Sequence, residues 1–148
     1  MTLLNSMAYL SLFISALIAA TLFPLSSEAL LATLLYQQYS PILLWFAAAS
    51  GNTLGSCINW YLGKECLRWK DKKWFPFSAD QLGRAQQQFQ RYGAYSLLFA
   101  WLPIIGDPLT FIAGVMRISF WKFILLVAVG KSLRYALVIW IALDVLSA

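Results

Sequence analysis

Pro103-Ile-Ile-Gly-Asp-Pro108 interrupts one apolar stretch of the chain, and Leu22-Phe-Pro-Leu-Ser-Ser-Glu28 interrupts another in the same way. In both interruptions a proline precedes an acidic residue, Asp107 or Glu28, by four positions. Because proline removes a helical hydrogen bond and clashes with the preceding turn, each stretch is expected to break here into a hairpin. Each hairpin is followed by an apolar segment long enough to cross a bilayer. The sequence therefore predicts two copies of a broken hairpin followed by a spanning helix.

The composition is that of an integral membrane protein. Of the 148 residues, 61% are hydrophobic and only 11% are charged, whereas soluble domains are about 45–50% apolar and about 25% charged. No charged side chain occurs in residues 2–27 or 29–63. Both stretches exceed the length of about 20 apolar residues that a spanning helix needs.

The predicted fold is all-α, with two inverted re-entrant hairpin-plus-transmembrane-helix repeats and an interfacial amphipathic helix. Paired, interrupted hydrophobic segments of this kind are typical of transporters with a binding site near the bilayer midplane. The alternative is a plain bundle of four to six helices kinked at prolines. The predicted segments of this single domain, residues 1–148, are hairpin 1 (8–38), a transmembrane helix (41–66), a basic loop with the amphipathic helix (67–92), hairpin 2 (93–117) and a transmembrane helix (119–145).

The basic loop is expected to set the orientation in the membrane. Residues 64–91 carry a net charge of +4, and cytoplasmic loops of membrane proteins are enriched in lysine and arginine. We therefore place this loop in the cytoplasm, where it can contact anionic headgroups, and both termini outside. In so hydrophobic a chain this reading is favoured over nucleic-acid binding. Ser78-Ala-Asp-Gln81 has the spacing of a capping box and predicts the start of the amphipathic helix, which Gly93 is placed to end.

Four ionisable residues lie inside the apolar stretches: Glu28, Asp107, Lys131 and Arg134. A charge near the bilayer centre costs about 2.5–3.5 kcal/mol, and residues retained at this cost usually mark a path for substrate, ions or protons. Lys131 and Arg134 are three positions apart on one helical face and are candidates for an anion-binding pair. The alternatives are a structural ion pair with an acid, or side chains that extend to the membrane surface.

The two acids have two compatible interpretations. Glu28 and Asp107 can exchange protons along a transport path, or they can stabilise the N-termini of the half-helices that begin at the breaks. Arg117 lies at the cytoplasmic end of the same path, where anchoring at the interface is favoured over binding of the substrate. The breaks themselves are attributed to Pro24, Pro103, Gly106 and Pro108, and the glycines placed for close helix packing are Gly51, Gly55 and Gly63.

The chain contains no histidine and two cysteines, Cys57 and Cys66, whose spacing fits no metal or redox motif. No pairing of a nucleophile with a base is visible. We therefore expect no metal, no cofactor and no enzymatic activity.

Several motifs together resemble the DedA superfamily, the bacterial relatives of the VTT-domain (SNARE-associated) lipid scramblases. The motif at residues 130–135 points to the short YqaA-like branch, and the similarity extends over about residues 8–140. These motifs are Gly51-Asn-Thr-Leu-Gly55, Phe89-Gln-Arg-Tyr-Gly93, Trp101-Leu-Pro-Ile-Ile-Gly-Asp107, Ala113-Gly114, Arg117-Ile-Ser119 and Gly130-Lys-Ser-Leu-Arg-Tyr135.

The resemblance implies a multi-pass protein of the bacterial inner membrane with two opposed re-entrant hairpins. It also implies movement of lipid-linked phosphates such as polyprenyl phosphates, or of phospholipids, between leaflets, with proton coupling. The embedded acid of the family corresponds to Glu28. The chain departs from the family in one respect: the positions of a pair of phosphate-binding arginines are occupied by Ala100 and Gly106. That pair cannot be carried over, so Lys131 and Arg134 would have to replace it.

The leading hypothesis is a flippase or scramblase-like transporter of an anionic lipid, whose partners are membrane lipids and protons. Two other hypotheses remain open: a proton- or cation-coupled transporter of a small solute, and a scaffold that recruits partners through its basic loop. The sequence does not identify the lipid, the direction of transport or the oligomeric state.

Overall fold

Two long apolar helices connect the shorter elements of the chain. The computed structural model describes residues 2–20, 26–65, 84, 87, 89–102 and 106–148. Every regular element in these ranges is helical, which confirms the predicted all-α class. The elements are α1 (Leu3–Ala19), α2 (Ser26–Tyr36), α3 (Pro41–Lys64), a 3₁₀ helix η1 (Gly93–Trp101), α4 (Gly106–Val115) and α5 (Phe120–Ser147).

Within the described ranges, α3 and α5 are the helices that are long and apolar enough to cross a membrane. They have 24 and 28 residues, more than the roughly 20 that a bilayer requires. Proline suits the first position of α3, because the amide hydrogen that it lacks would have no partner within the helix. The other helices are shorter, with 17 residues in α1, 11 in α2 and 10 in α4.

One side of α5 exposes large apolar side chains along much of its length. Trp121 is 78% exposed, Leu125 and Leu133 are 66% exposed, and Trp140 is 68% exposed. The first three follow one another at multiples of four positions, so they form a stripe along one helical face. An exposed apolar stripe of this length suits contact with hydrocarbon rather than with water.

The chain divides into two compact units, and each contains parts of both long helices. The first unit comprises Met1–Gly55 and Lys131–Ala148, and the second comprises Ser56–Gly130. The core of the first unit consists of Leu12, Leu31, Leu34, Leu35, Leu44, Ala48, Ala49, Tyr135 and Ile139. The core of the second consists of Phe89, Leu97, Ala100, Leu109, Ile112, Ala113, Phe123 and Val127.

In the first unit, glycines allow α3 to approach α1 closely. A Cβ atom added to Gly51 would collide with the carbonyl oxygen of Phe13, and one added to Gly55 would collide with that of Leu17. Beside them the amide Nδ2 of Asn52 donates a hydrogen bond to the carbonyl of Ala16 at 3.0 Å. Small residues and a side-chain amide thus join two apolar helices, as is common in membrane proteins.

The second unit uses the same chemistry between α3 and α4. A Cβ atom on Gly63 would collide with the carbonyl oxygen of Phe111. The Nδ2 of Asn59 donates to Oγ1 of Thr110 at 3.3 Å. On α5, a Cβ atom on Gly130 would lie 3.0 Å from the carbonyl oxygen of Leu98 in η1. The expected packing role of Gly51, Gly55 and Gly63 therefore agrees with their surroundings.

α2 ends in a tight turn that requires a left-handed residue. Gln38 has a φ of +67°. The amide of Gln38 donates to the carbonyl of Leu35 at 3.0 Å, and the amide of Tyr39 donates to that of Leu34 at 3.2 Å. This pair of hydrogen bonds defines the Schellman motif, whose left-handed position is usually glycine.

α4 ends in the same turn. Arg117 has a φ of +53°, and the amide of Ile118 donates to the carbonyl of Ala113 at 3.1 Å. In the described part of the chain, Gln38 and Arg117 are the non-glycine residues with positive φ.

Each residue of the second turn follows its counterpart in the first turn by 79 positions, as 117 follows 38 and 118 follows 39. The same spacing relates Pro24 to Pro103, Glu28 to Asp107, Ser40 to Ser119, Gly51 to Gly130 and Leu54 to Leu133.

Some element boundaries differ from those expected. α1 begins at Leu3 rather than at residue 8, and the apolar segment after Gly93 is a 3₁₀ helix. Residues 89–92 are α-helical and Gly93, with a φ of +64°, ends them. The expected capping box at 78–81 and most of the basic loop lie outside the described residues, as do Pro24 and Pro103.

The left-handed turn residues lead to a stability prediction. We expect Gln38→Gly to raise the unfolding temperature in detergent, because a non-glycine residue in this conformation costs about 1–2 kcal/mol. Gln38→Val should lower the unfolding temperature, since a β-branched residue tolerates positive φ least. Arg117→Gly and Arg117→Val should follow the same order. A valine variant as stable as the unmodified protein would contradict the assigned turn.

The close helix approaches lead to a ranking. Gly63→Ala should destabilise the protein by about 1–3 kcal/mol, because backbone atoms of α4 occupy the place of the added methyl group. Gly130→Ala is the matched control, since its nearest atom lies at the limit of tolerable contact. Thermal unfolding of both variants in the same detergent should show the larger loss for Gly63→Ala, and the reverse order would contradict the packing described.

Candidate functional site

The acidic residues of the two breaks both lie in the first turn of a helix. Glu28 is the third residue of α2, and Asp107 is the second residue of α4. A carboxylate is stabilised there by the helix dipole and by backbone amides that have no partner within the helix. The capping interpretation therefore suits the position of both acids.

Glu28 forms an ion pair with Arg134. The Nη2 atom of Arg134 on α5 donates to Oε1 of Glu28 on α2. The side chains are 11% exposed for Arg134 and 24% exposed for Glu28. Each charge thus reduces the cost of placing the other in an apolar unit. Of the pairings that the sequence left open, the structure shows this one.

A second side-chain link lies directly beside the ion pair. The hydroxyl groups of Ser27 and Tyr135 are hydrogen-bonded at 2.9 Å. Both residues are buried, with 0% and 1% of their surface exposed. Ser27 precedes Glu28 on α2, whereas Tyr135 follows Arg134 on α5. Two consecutive residues of α2 therefore contact two consecutive residues of α5.

Lys131 occupies the same face of α5. It precedes Tyr135 by four positions, which places it one helical turn away. Only 1% of Lys131 is exposed, which makes it one of the largest fully buried side chains of the described chain. We call Glu28, Lys131 and Arg134 the charged cluster, and their formal charges sum to +1.

α3 is tied to α5 at the same level. The indole Nε1 of Trp45 donates to the carbonyl oxygen of Ser132 at 2.8 Å. Ser132 lies between Lys131 and Arg134 in sequence. The backbone that carries both cations is therefore held by α3, while the guanidinium group of Arg134 faces Glu28 on α2.

The remaining predicted site residues lie elsewhere. Asp107 belongs to the second unit, where its carbonyl oxygen accepts a hydrogen bond from Oγ1 of Thr110 at 2.7 Å. Gly106 and Pro108 are buried in the first turn of α4, and Arg117 is exposed in the turn that ends α4. The position of Arg117 suits the anchoring role better than binding deep within the protein.

Sequence reasoning did not single out Ser27, Tyr135 or Trp45. A hydroxyl group beside each charged residue of an apolar segment was a usable signal, because such groups need partners in a membrane. The buried amides of Asn52 and Asn59 gave a similar signal for helix contacts. The choice of partner, however, depends on how each helix is rotated, which the sequence pattern does not specify.

Two cavities of the first unit lie apart from these charges. A groove of about 450 Å³ is lined by apolar and aromatic residues: Pro41, Ile42, Trp45, Ala136, Ile139, Trp140 and Leu143. A depression of about 370 Å³ near the α2–α3 turn is lined by uncharged polar residues: Asn5, Tyr9, Gln37, Gln38, Tyr39 and Ser40. Neither wall contains a cation that could hold a phosphate. Among the described residues, no three His, Cys, Asp or Glu side chains are grouped as metal ligands.

Comparison with known families assigns the family of the chain. The VTT domain matches residues 23–142, which is most of the chain. The chain belongs to the VTT-domain family. This match confirms the resemblance to the DedA superfamily that the sequence motifs indicate. No solved structure matches the chain significantly.

Curated relatives of this VTT-domain protein cover nearly its full length. The inner membrane protein YqaA of Escherichia coli K12 is 37% identical over 140 residues, which is 90% of each chain, and YqaA of Shigella flexneri matches equally. An uncharacterized protein of Haemophilus influenzae is 33% identical over 146 residues, or 93% of this chain and 88% of the relative. The YqaA-like branch is thus the part of the family to which the chain is similar.

The ion pair leads to a stability prediction. We expect Arg134→Met to destabilise the protein by about 3 kcal/mol, because it leaves the Glu28 carboxylate without its countercharge in a mostly buried position. Glu28→Gln should have a similar effect on Arg134. The double variant should lose clearly less than the sum of the single losses. Chemical unfolding in detergent measures all four proteins, and additive losses would contradict the pairing.

Proposed function

We propose that this VTT-domain protein is an inner-membrane transporter that moves an anionic lipid between leaflets. The substrate class is a polyprenyl phosphate or a phospholipid. Family membership and the inner-membrane relatives support the location. The observation that carries the proposal is the charged cluster, in which Lys131 and Arg134 are held within an apolar unit.

The chemistry of the cluster favours an anion over a cation. A guanidinium group has five N–H donors in a planar fork that matches phosphate oxygens, and an ammonium group adds a compact positive charge. Arg134 contacts Glu28 through Nη2, so other guanidinium donors can face a phosphate.

The residues at the two arginine positions of the family, Ala100 and Gly106, support a phosphate-binding site elsewhere in this chain. Ala100 is fully buried, and the place of a Cβ atom on Gly106 is filled by the backbone of Ala100. A long cationic side chain at residue 106 would therefore collide with η1. The cations on α5 take over the phosphate-binding role in this proposal.

We also propose that hairpins 8–38 and 93–117 are re-entrant and have opposite orientations. The matching turns at Gln38 and Arg117 and the constant spacing of 79 positions support two related halves. The positive charge of 64–91 supports a cytoplasmic loop with both termini outside. Irregular backbone at this depth is tolerated where it is buried in protein or lines a wet path.

Transport in this scheme is coupled to protons through Glu28. Glu28 is the acid of the charged cluster, and its ion pair with Arg134 joins the proposed proton path to the proposed phosphate site. No covalent step is involved, and we propose that the protein is not an enzyme.

Transport by reconstituted protein tests the proposal. Vesicles of phosphatidylethanolamine and phosphatidylglycerol would contain either labelled phosphatidylglycerol or a labelled polyprenyl phosphate. We expect Lys131→Ala and Arg134→Ala to slow labelled-lipid movement about tenfold or more, because a hydrogen bond to a charged group contributes about 1.5–3 kcal/mol. A cooperative unfolding transition above the assay temperature would show that these variants are folded.

Lys122→Ala is the matched control. Lys122 lies on the same helix but is exposed, with its ammonium group 5.6 Å from the ring centre of Tyr95. We expect its rate to stay within about twofold of the unmodified protein, as is usual for an exposed charge. Unchanged lipid movement in both Lys131→Ala and Arg134→Ala would refute the assignment.

The same vesicles distinguish the other functions. Flux that follows a pH gradient without lipid movement would indicate a transporter of small solutes. A scaffold would lose its cellular function when residues 68–91 are deleted but would retain it in Glu28→Gln.

A further inference from the structure

The Ser27–Tyr135 hydrogen bond is buried within the protein. The two oxygens lie 2.9 Å apart, and neither residue exposes more than 1% of its surface. The ring of Tyr135 belongs to the hydrophobic core of the first unit. In such surroundings water cannot replace the hydrogen bond between the two hydroxyl groups. This hydrogen bond therefore resists separation of α2 from α5.

The position of this hydrogen bond relates it to the ion pair. Residues 27 and 135 are linked, and residues 28 and 134 are linked directly beside them. A rotation of the first turn of α2 that moved the Glu28 carboxylate would also separate Ser27 from Tyr135. The hydroxyl pair thus limits the positions that the carboxylate can take on the guanidinium.

The second half of the chain does not repeat this link. With the spacing of 79 positions, Ser27 corresponds to Gly106 and Tyr135 corresponds to Ser56. Gly106 has no side chain, and backbone atoms of Ala100 occupy the space where one would begin. If general helix packing required this hydroxyl link, both corresponding places would have one. The link occurs only at the place where the ion pair of Glu28 and Arg134 lies beside it.

We infer that Ser27 and Tyr135 are positioning residues that hold the Glu28 carboxylate on one nitrogen of Arg134 and leave other donors for the lipid phosphate. This inference rests on the proposed function for its consequence in transport. The geometric part concerns Glu28 and Arg134 alone. Loss of the hydroxyl link lets the carboxylate leave its contact with that one nitrogen more often. The Glu28 carboxylate is then more open to reagents, and it competes with the phosphate for the other guanidinium donors.

Labelling of Glu28 by a hydrophobic carbodiimide tests the geometric part. The full-length protein in vesicles of phosphatidylethanolamine and phosphatidylglycerol would be labelled, and peptide mass spectrometry would follow the adduct on Glu28. We expect Tyr135→Phe to label about fivefold faster, which is the effect of losing one hydrogen bond of ordinary strength. Glu28→Gln defines the background.

Tyr9→Phe is the matched control, because the Tyr9 hydroxyl accepts a hydrogen bond from the amide of Ser40 elsewhere in the same unit. Its Glu28 should label at the unmodified rate. Ser27→Ala removes the same link with a smaller change and serves if Tyr135→Phe does not fold. The double variant Ser27→Ala/Tyr135→Phe should label no faster than Tyr135→Phe, since the link between the two hydroxyls is already absent in that single variant.

A labelling rate in Tyr135→Phe or Ser27→Ala equal to that of the unmodified protein would overturn the inference, as would additive effects in the double variant. Transport separates this result from the proposed function. We expect Tyr135→Phe to raise the KM for the labelled lipid about fivefold with a smaller change in kcat. Faster labelling in a protein that moves no lipid would retain the positioning role and reject the transport proposal.

Discussion

A charge inside an apolar helical unit requires an opposite charge or polar groups nearby, because hydrocarbon does not replace the lost hydration. In this protein Glu28 and Arg134 meet that requirement across α2 and α5. Their contact fixes the rotation of α5, since a turn of the helix would carry Arg134 away from Glu28. The burial of Lys131 and Tyr135 and the hydrogen bond from Trp45 to Ser132 are consistent with that one rotation.

Small residues fulfil a complementary requirement. Apolar helices in lipid gain little from hydrophobic burial against one another, so close packing and hydrogen bonds have to hold them. Gly51 and Asn52 provide both between α3 and α1, and Gly63 and Asn59 provide both between α3 and α4. The polar groups that the chain places in its apolar helices therefore serve two purposes, helix contact and the charged cluster.

Much of this could be predicted from the sequence. The hydropathy pattern indicated the all-α class and both long helices, and three of the four embedded charges, Glu28, Lys131 and Arg134, marked elements that meet in the first unit. The pairing of Glu28 with Arg134 was one of several that two acids and two bases allow. Hydropathy did not distinguish the 3₁₀ helix at 93–101 from an α-helix, because both bury apolar residues. The turns at Gln38 and Arg117 escaped notice because the left-handed position of such a turn is usually glycine.

The division of α3 and α5 between the two units has a consequence for any attempt to split the protein. A cut in the basic loop, between the two halves of the sequence, would separate α3 from α5. The C-terminal fragment would take Tyr135 and Ile139 away from the core of the first unit, and the N-terminal fragment would keep the last part of α3, which belongs to the second unit. The related halves are thus not autonomous modules, because each lacks part of the unit in which most of it lies.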